Sequence, residues 1–503
     1  MKDSVLTYLD AAVSKYADRI VYSDENSRMT FSELNYCTMK IGTWIARILE
    51  PGRPVAVMTG RHVYTPACYL GVVRAGCFYA PMDASVPTQR LNRILGVIDT
   101  QLMLVDREHL EKARGLEFKG TICVMEDILE SEAEVDNVLL EKALAGLNEL
   151  SPLYVIFTSG STGIPKGVVT SHHSLMCYIE DVQEVLQLTE EDVLGSQSPL
   201  DYIAAIRDIY LPLRTGASTH IIPKNEFAMP TALFETLNRE KVTTLCWSVA
   251  GIELPARLGA FDCMTPQYLK RVIFSGSVLR GKYLKVWQQH LPDVVFINQY
   301  GPTEATASCT YYIVQEKAKD DTVLPIGVPY GHYSILLLNE DGDKTEQGEV
   351  GEICVGGPCL ALGYYGDSSR TEASFIQNPQ NPHYRELIYR TGDLGRLRAD
   401  GMLEFCGRKD RQIKHMGHRV ELEELEAAAA GIEGVAEVTV LYDSEKELIW
   451  LFYTGTARPK DIVMYFRANL PAFMVPRKVL LLEEMPVLPN GKTDMQCLKQ
   501  YFK

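Results

Sequence analysis

The sequence predicts an α/β protein made of a large N-terminal domain and a small C-terminal one. Three observations support this prediction. Apolar segments alternate with helix-like segments from Val55 onward, which is typical of parallel strands with helices packed on them. After about residue 320 the pattern changes to short strands interrupted by glycines. A further unit begins at Gln412.

The first unit of the large domain is a strand, a helix and a second strand over Val55 to Ala80, followed by a turn at Pro81. Further apolar segments of strand length are separated by helical stretches and lie at 101–106, 154–157, 220–223, 243–247 and 272–274. Parallel strands need such long crossover connections. We therefore expect mostly parallel sheets with helices in this domain.

The glycine-rich region beyond residue 320 predicts a small antiparallel part, barrel-like or a meander, with a strand near Gly348 to Ile353. The last unit has a helix over Glu421 to Ala430 and strands near 435–441 and 448–453. A charged stretch from Arg408 to Arg411 separates apolar segments and marks the predicted boundary. We assign residues 1–409 to the N-terminal domain and 410–503 to a small α+β domain.

Composition excludes several classes of protein. The chain of 503 residues is 46% hydrophobic and 23% charged, as in globular domains, and its net charge of -15 argues against a nucleic-acid partner. The sequence contains no secretory signal segment and no apolar run of about 18 residues. Its 12 cysteines lack the paired spacing of a zinc site. We expect a cytoplasmic protein with free thiols and no membrane partner.

Residues Thr158 to Gly167 read TSGSTGIPKG and directly follow an apolar strand. Glycines and small hydroxyl residues let backbone amides approach phosphate oxygens, and a lysine adds positive charge. The segment is not a Walker loop, because Pro165 precedes the lysine, and it is not a nucleophile elbow, because no glycine lies two residues before Ser161. We interpret it as a phosphate loop formed by Thr158, Ser159, Gly160, Ser161, Thr162, Gly163 and Lys166.

This loop resembles the signature of the adenylate-forming superfamily, which includes acyl-CoA synthetases, adenylation domains of nonribosomal peptide synthetases and D-alanine:carrier-protein ligases. Three further segments match in the same order: NQYGPTE from Asn298, YRTGD from Tyr389 and PNGKTD from Pro489. Together the matches span nearly the whole chain. The resemblance implies an enzyme that uses ATP and Mg²⁺ to convert a small carboxylic or amino acid into an acyl-adenylate. It also implies that the small domain is mobile.

The resemblance further implies which residues bind the nucleotide and the metal. A carboxylate suits the ribose diol because it offers only hydrogen-bond acceptors, and a hard cation prefers oxygen ligands. The matching positions are Gly276, Asn298, Tyr300, Gly301 and Thr303 for adenine and the α-phosphate, Asp393 and Arg408 for the ribose, and Glu304 for Mg²⁺.

Lys492 corresponds to the family's catalytic lysine and would bridge the α-phosphate and the substrate carboxylate, while Lys166 would stabilise the leaving pyrophosphate. The small domain would then rotate about a hinge at Asp410. Gly417, which has no side chain, would line the tunnel for a pantetheine thiol. An inactive homologue would be expected to lack Lys492, Glu304 or Asp393, and all three are present.

Ile203 stands where amino-acid-activating relatives place an aspartate that pairs with the substrate's α-ammonium. A buried ammonium without that partner would lose several kcal/mol. Either Asp201 or a shift in the strand captures an amine, or the substrate is an aryl, keto, hydroxy or other acid without one. The other positions that match the family's acid pocket are Ala204, Arg207, Cys246, Ile273, Ser275, Gln299, Ala307 and Ser308.

Arg207 allows more than one interpretation. A guanidinium recognises carboxylate well, so Arg207 could bind a second anionic group on the substrate. Alternatively it forms a salt bridge with Asp208 or Asp201, or lies at a solvent-facing strand end.

The thiol that accepts the acyl group can also be predicted. Since the chain ends at Lys503, with no room for a fused carrier domain, we expect the thiol of a separate carrier protein, with coenzyme A as the alternative.

Overall fold

A computed structural model of the chain describes residues 4–160, 164–487 and 493–502. Its strands are, in chain order, β1 Ile20–Ser23, β2 Arg28–Thr30, β3 Pro54–Met58, β4 Phe78–Pro81, β5 Leu102–Val105, β6 Thr121–Val124, β7 Pro152–Thr158, β8 Lys166–Ser171, β9 Val193–Ser196, β10 Ser218–Ile221, β11 Thr244–Ser248, β12 Arg271–Ser275, β13 Val295–Tyr300, β14 Thr310–Ile313, β15 Val328–Pro329, β16 Ser334–Leu338, β17 Val350–Gly356, β18 Gly363–Tyr364, β19 Phe375–Gln377, β20 Leu387–Leu397, β21 Leu403–Arg408, β22 Gln412–His415, β23 His418–Glu421, β24 Val435–Asp443, β25 Leu448–Gly455 and β26 Lys478–Leu481.

The helices alternate with these strands through the first 300 residues, as the sequence predicts. They are α1 Leu6–Tyr16, α2 Phe31–Ala46, α3 Tyr64–Arg74, α4 Thr88–Val97, α5 Leu110–Arg114, α6 Met125–Glu130, α7 Asn137–Leu144, α8 His172–Leu186, α9 Ile206–Thr215, α10 Pro230–Arg239, α11 Val249–Arg257, α12 Ala260–Cys263, α13 Gly281–His290, α14 Ser368–Ser374, α15 Leu422–Ala430, α16 Pro459–Asn469 and α17 Met495–Lys499. Short 3₁₀ helices occupy Ile203–Ala205, Lys224–Ala228, Thr303–Ala305, Ala472–Met474 and Gln500–Phe502.

Two large sheets form most of the N-terminal domain. Among the described residues, one has nine strands in the order β15-β14-β13-β12-β11-β9-β10-β1-β2, and the other has seven in the order β18-β8-β7-β4-β3-β5-β6. The inner strands of both sheets pair in parallel, which confirms the predicted fold class. The strand predicted at 220–223 lies two residues earlier, because Pro223 has no N–H to continue a ladder.

Helices fill the space between the two sheets and create one continuous core. Val57 and Tyr154 of one sheet and Leu194 and Cys246 of the other belong to the same buried cluster as residues of α1, α2, α3, α8 and α9. A capping box sets the start of α2, since Thr30 and Glu33 each satisfy the other's backbone N–H. Burying both faces of each sheet requires the near-continuous apolar strands that the sequence contains.

The remaining sheets are smaller and mainly antiparallel. In the described part of the chain, β16, β17, β20, β19 and β21 form a five-stranded antiparallel sheet, as expected from the glycine-rich region. The C-terminal region contains the hairpin β22–β23 and the sheet β24-β25-β26, against which α15 and α16 pack. Arg90 of α4 and Glu424 of α15 form a buried ion pair of 3.0 Å that fastens this region to the large domain.

The predictions about thiols and membranes can be compared directly with the structure. The cysteines are free and most are buried, although Cys263 and Cys406 are exposed. None of the helices in the described ranges combines the length and the apolar character needed to cross a membrane.

Candidate active site

The carboxyl ends of three parallel strands create the floor of a cavity. Ser248 of β11, Ser275 of β12 and Gln299 of β13 are register partners at this edge, where ligands of α/β sheets typically bind. Residues of the segment 197–207 and of the hairpin β22–β23 close the cavity. Among the residues predicted from the sequence, its lining includes Ile203, Ala204, Arg207, Ser275, Gly276, Gly301, Thr303, Ala307, Asp393, Arg408 and Gly417.

The predicted acid pocket corresponds to the part of this cavity next to α9. Ile203 and Ala204 reach it from a 3₁₀ turn, and Arg207 follows on the first turn of α9. Arg207 is only 1% exposed, so the prediction of a solvent-facing strand end is wrong: the residue lies on a buried helix. Cys246 and Ile273 are completely buried on the adjoining strands.

Gln299 and Ser308 are brought to Arg207 by hydrogen bonds. The Nη1 atom of Arg207 donates to Oε1 of Gln299, and Oγ of Ser308 donates to the same oxygen at 3.4 Å. Nε2 of Gln299 donates to the Tyr330 hydroxyl at 2.5 Å. The proposed salt bridge of Arg207 with Asp208 or Asp201 is absent from the described part of the structure. Asp201 is also not among the residues that line the cavity.

Asp393 is held in place by two side chains that the sequence also singled out. The Tyr300 hydroxyl donates to Oδ2 of Asp393 at 2.5 Å, and Nη1 of Arg408 donates to Oδ1. Arg408 in turn binds Asp410 through Nε at 2.6 Å. Asn298 is directed elsewhere, because its side-chain amide donates to the carbonyl of Pro325 at 2.8 Å. The structure thus joins Asp393, Arg408 and Tyr300, predicted from the sequence to bind the ribose and adenine, into one network.

Glu304 is a completely buried carboxylate surrounded by cations. Nη1 of Arg419 lies 3.0 and 3.2 Å from its two oxygens, Nζ of Lys166 lies 3.6 Å away, and the Tyr364 hydroxyl donates to it at 2.7 Å. Burial alone would raise the pKa of Glu304, but Arg419 and Lys166 lower that pKa to about 2. Burial, together with the nearby Arg419, lowers the pKa of Lys166 to about 8.

The phosphate loop connects two antiparallel strands. Thr158 at the end of β7 is the register partner of Lys166 at the start of β8, so the predicted strand before the loop is confirmed. A side chain at Gly160 would collide with the carbonyl oxygen of Ile164. Ser159 donates from Oγ to the carbonyl of Arg419 at 2.8 Å. The predicted loop residues Ser161, Thr162 and Gly163 lie outside the described residues.

The hairpin β22–β23 inserts its turn into the cavity. Met416 and Gly417 both have positive φ, 52° and 83°, which is the geometry of a tight two-residue hairpin turn. The carbonyl of Gly417 accepts a hydrogen bond of 3.0 Å from the Tyr202 hydroxyl. An added Cβ on Gly417 would lie 3.1 Å from Cβ of Ser248.

Sequence reasoning missed Arg419, Tyr364 and Lys414, whose ammonium group lies 5.6 Å from the centre of the Tyr300 ring. One signal was present for Arg419. Arg419 lies only two residues after Gly417, which was already assigned to the tunnel. No comparable local signal marks Tyr364. Lys492 lies outside the described residues, and its role stays a prediction, as do the roles of the other site residues.

Comparison with known proteins places the chain in a family. A family model described as "AMP-binding enzyme" matches residues 9–365, and a second, described as "AMP-binding enzyme C-terminal domain", matches residues 424–492.

Two relatives are much longer proteins. Tyrocidine synthase 3 of Brevibacillus parabrevis is 32% identical over 506 residues, which are 98% of this chain and 8% of that protein. Bacitracin synthase 1 of Bacillus licheniformis is 30% identical over 484 residues, 94% of this chain and 9% of that protein. The chain therefore spans less than a tenth of the length of either relative.

Solved structures share the fold over almost the whole chain. PA1221, a nonribosomal peptide synthetase protein containing adenylation and PCP domains, superposes with a TM-score of 0.84 at 23% identity, covering 99% of this chain and 84% of that one. The adenylation domain AlmE of Vibrio cholerae, in complex with glycyl-adenosine-5'-phosphate, gives a TM-score of 0.82 at 22% identity, covering 99% and 97%. The chain belongs to the AMP-binding enzyme family.

Proposed function

We propose that this protein adenylates a small carboxylic acid with ATP and Mg²⁺ and then transfers the acyl group to the phosphopantetheine thiol of a carrier protein. One observation carries the proposal: residues of the large domain that are predicted to bind the nucleotide and the Gly417 hairpin of the small domain meet at one cavity. A single site can then serve two successive steps, provided that the small domain rotates to a different position between them.

In the first step the acid's carboxylate attacks the α-phosphorus of ATP, and pyrophosphate leaves. The chain's task is to hold the reactants in line and to neutralise developing charge. Asp393, fixed by Tyr300 and Arg408, presents acceptor oxygens to the ribose. Lys166 and the phosphate loop supply positive charge toward the leaving group, and Lys492 is the group that we expect to reach the α-phosphate.

The residues present fit one magnesium ion. Glu304 is buried and ionised, as a ligand for a hard cation must be. Among the described residues no cluster of three or more metal-binding side chains occurs, which suits a metal held mainly by ATP oxygens and water. When bound, the ion would neutralise negative charge on the phosphates. Glu304 must first release Arg419, because that guanidinium contacts both of its oxygens.

In the second step the thiol attacks the carbonyl carbon of the acyl-adenylate, so that a thioester forms and AMP leaves. The hairpin is seated, in the sense that its turn lies in the cavity, and this position supports the assignment. Gly417 exposes only backbone beside Ser248 and Gly276. In this arrangement Arg419 pairs with Glu304, the residue that would hold the metal in the first step. A carrier protein as acceptor is supported by PA1221, which contains both adenylation and PCP domains.

The proposal is tested by measuring the two half-reactions separately. Acid-dependent pyrophosphate release, with hydroxylamine to capture the adenylate, reports the first step. Thioester formation on a phosphopantetheinylated carrier domain, compared with coenzyme A and free pantetheine, reports the second. We expect Glu304→Gln and Asp393→Asn to lower pyrophosphate release at least tenfold. Thioester formed on coenzyme A but not on the carrier domain would replace the proposed acceptor and leave the first step standing.

A further inference from the structure

Arg207 is a buried cation at the inner end of the acid pocket. Its side chain lines the cavity together with Ile203 and Ala204 and is 1% exposed. Its hydrogen bonds go to neutral acceptors, the side-chain oxygen of Gln299 and the carbonyl of Ala204 at 3.4 Å. A guanidinium keeps its charge at any pH at which the protein is folded. The pocket therefore contains a permanent positive charge.

Within the described ranges, no carboxylate lies at ion-pair distance from this guanidinium. Asp208 is the neighbour in sequence, but adjacent residues of a helix do not face each other. Burial raises the pKa of its carboxyl to about 7, although the charge of Arg207 acts to lower it. Burying a charge without a partner is costly, several kcal/mol per ion after relaxation. A buried charged group that lines a cavity is therefore a candidate binding residue.

The same pocket lacks an anion for an amine. Ile203 is apolar and 6% exposed, and Asp393, the acidic side chain that lines the cavity, is already bound to Arg408 and Tyr300. Asp201 lies near Asp83 and Lys224 instead. This part of the cavity thus contains the guanidinium of Arg207 and, among the described residues, no carboxylate at ion-pair distance from it.

We propose that the acid activated by this protein carries a second carboxylate, which Arg207 binds, and has no α-ammonium. The inference rests on the proposed adenylation reaction and narrows its substrate class to small dicarboxylic acids. Gln299 and Ser308 complete the site by holding the guanidinium in a fixed orientation. The second carboxylate would form the direct ion pair that the described residues do not provide, and an ammonium group would be repelled.

The first test compares acids matched in length, succinate with butyrate and glutarate with valerate, together with glutamate and alanine, by pyrophosphate release. We expect kcat/KM for a diacid to exceed that of its monoacid partner at least tenfold. Arg207→Gln should lower the value for the diacid by about 10- to 100-fold and change the value for the monoacid less than threefold. Asp208→Asn is the matched control, and it should keep the preference for the diacid. Preference for glutamate, alanine or a monoacid would overturn the inference while leaving adenylation in place.

The second test does not depend on catalysis. In thermal unfolding without ligand, Arg207→Met should melt at the same temperature as the wild type or higher, because an apolar side chain replaces an unpaired charge. Succinate or glutarate should raise the Tm of the wild type but not of the variant. The proposal is refuted if Arg207→Met and Asp208→Asn each lower the Tm by several degrees and the double variant lowers it no further. That result would show a structural ion pair between Arg207 and Asp208. If no acid releases pyrophosphate, adenylation fails, and the diacid-dependent Tm shift still decides this inference.

Discussion

Replacing Gly417 by alanine should separate the two half-reactions. Its φ of +83° is in the region that favours glycine, so a side chain costs about 1 kcal/mol wherever the hairpin lies. A second cost exists only when the hairpin is seated, because the new Cβ would lie 3.1 Å from Cβ of Ser248. Overpacking of this kind typically costs about 1–3 kcal/mol. The seated arrangement should therefore become about 5- to 150-fold less populated.

The assay measures pyrophosphate release and thioester formation on the same preparation. We expect Gly417→Ala to lower thioester formation at least fivefold and pyrophosphate release less than threefold. Gly401→Ala is a matched control, since Gly401 has a φ of +81° and open space around it, and it should affect neither. Adding Ser248→Gly should restore transfer to the Gly417→Ala protein, because it removes the atoms that collide. Equal loss in both half-reactions, or no rescue by Ser248→Gly, would refute the reasoning.

Two further predictions concern buried charges. Arg419→Gln leaves Lys166 as the cation nearest to Glu304. Because the ion pair with Arg419 is lost, the hairpin at 412–421 should exchange its amide hydrogens at least tenfold faster, and the Mg²⁺ concentration at half-saturation should fall. Unchanged exchange would show that the ion pair does not hold the hairpin. Asp208 has a folded-state pKa of about 7 against 3.8 as a free group, so the folded protein binds more protons between these values and loses stability as pH rises through them. The Tm of Asp208→Asn minus that of the wild type should therefore be several degrees larger at pH 8 than at pH 5. The same difference at both pH values would contradict this prediction.

Much of the fold could be predicted because its signals are local. The apolar strands with helices between them and the glycine loop after β7 each follow from a few neighbouring residues. Positions that line the pocket, such as Ile203 and Ser275, came from matching motifs, and the structure places them at the same cavity.

The charge pairing of the site could not be predicted in the same way. Arg419 and Glu304 are 115 residues apart and meet only because the small domain lies against the large one. Whether Arg207 can pair with Asp208 depends on the local backbone: the sequence also allowed a strand end, whereas in the helix α9 adjacent side chains do not face each other. The structure answers that question through burial and distance.

The most direct test of adenylation is acid-dependent pyrophosphate release by the purified protein with ATP, Mg²⁺ and hydroxylamine, across diacids, monoacids, aryl acids, keto acids and amino acids. We expect release together with an acyl-hydroxamate for diacids. We also expect loss of both in Lys492→Ala, while ATP binding is retained. Wild-type protein that binds ATP but releases no pyrophosphate with any of these acids would contradict it.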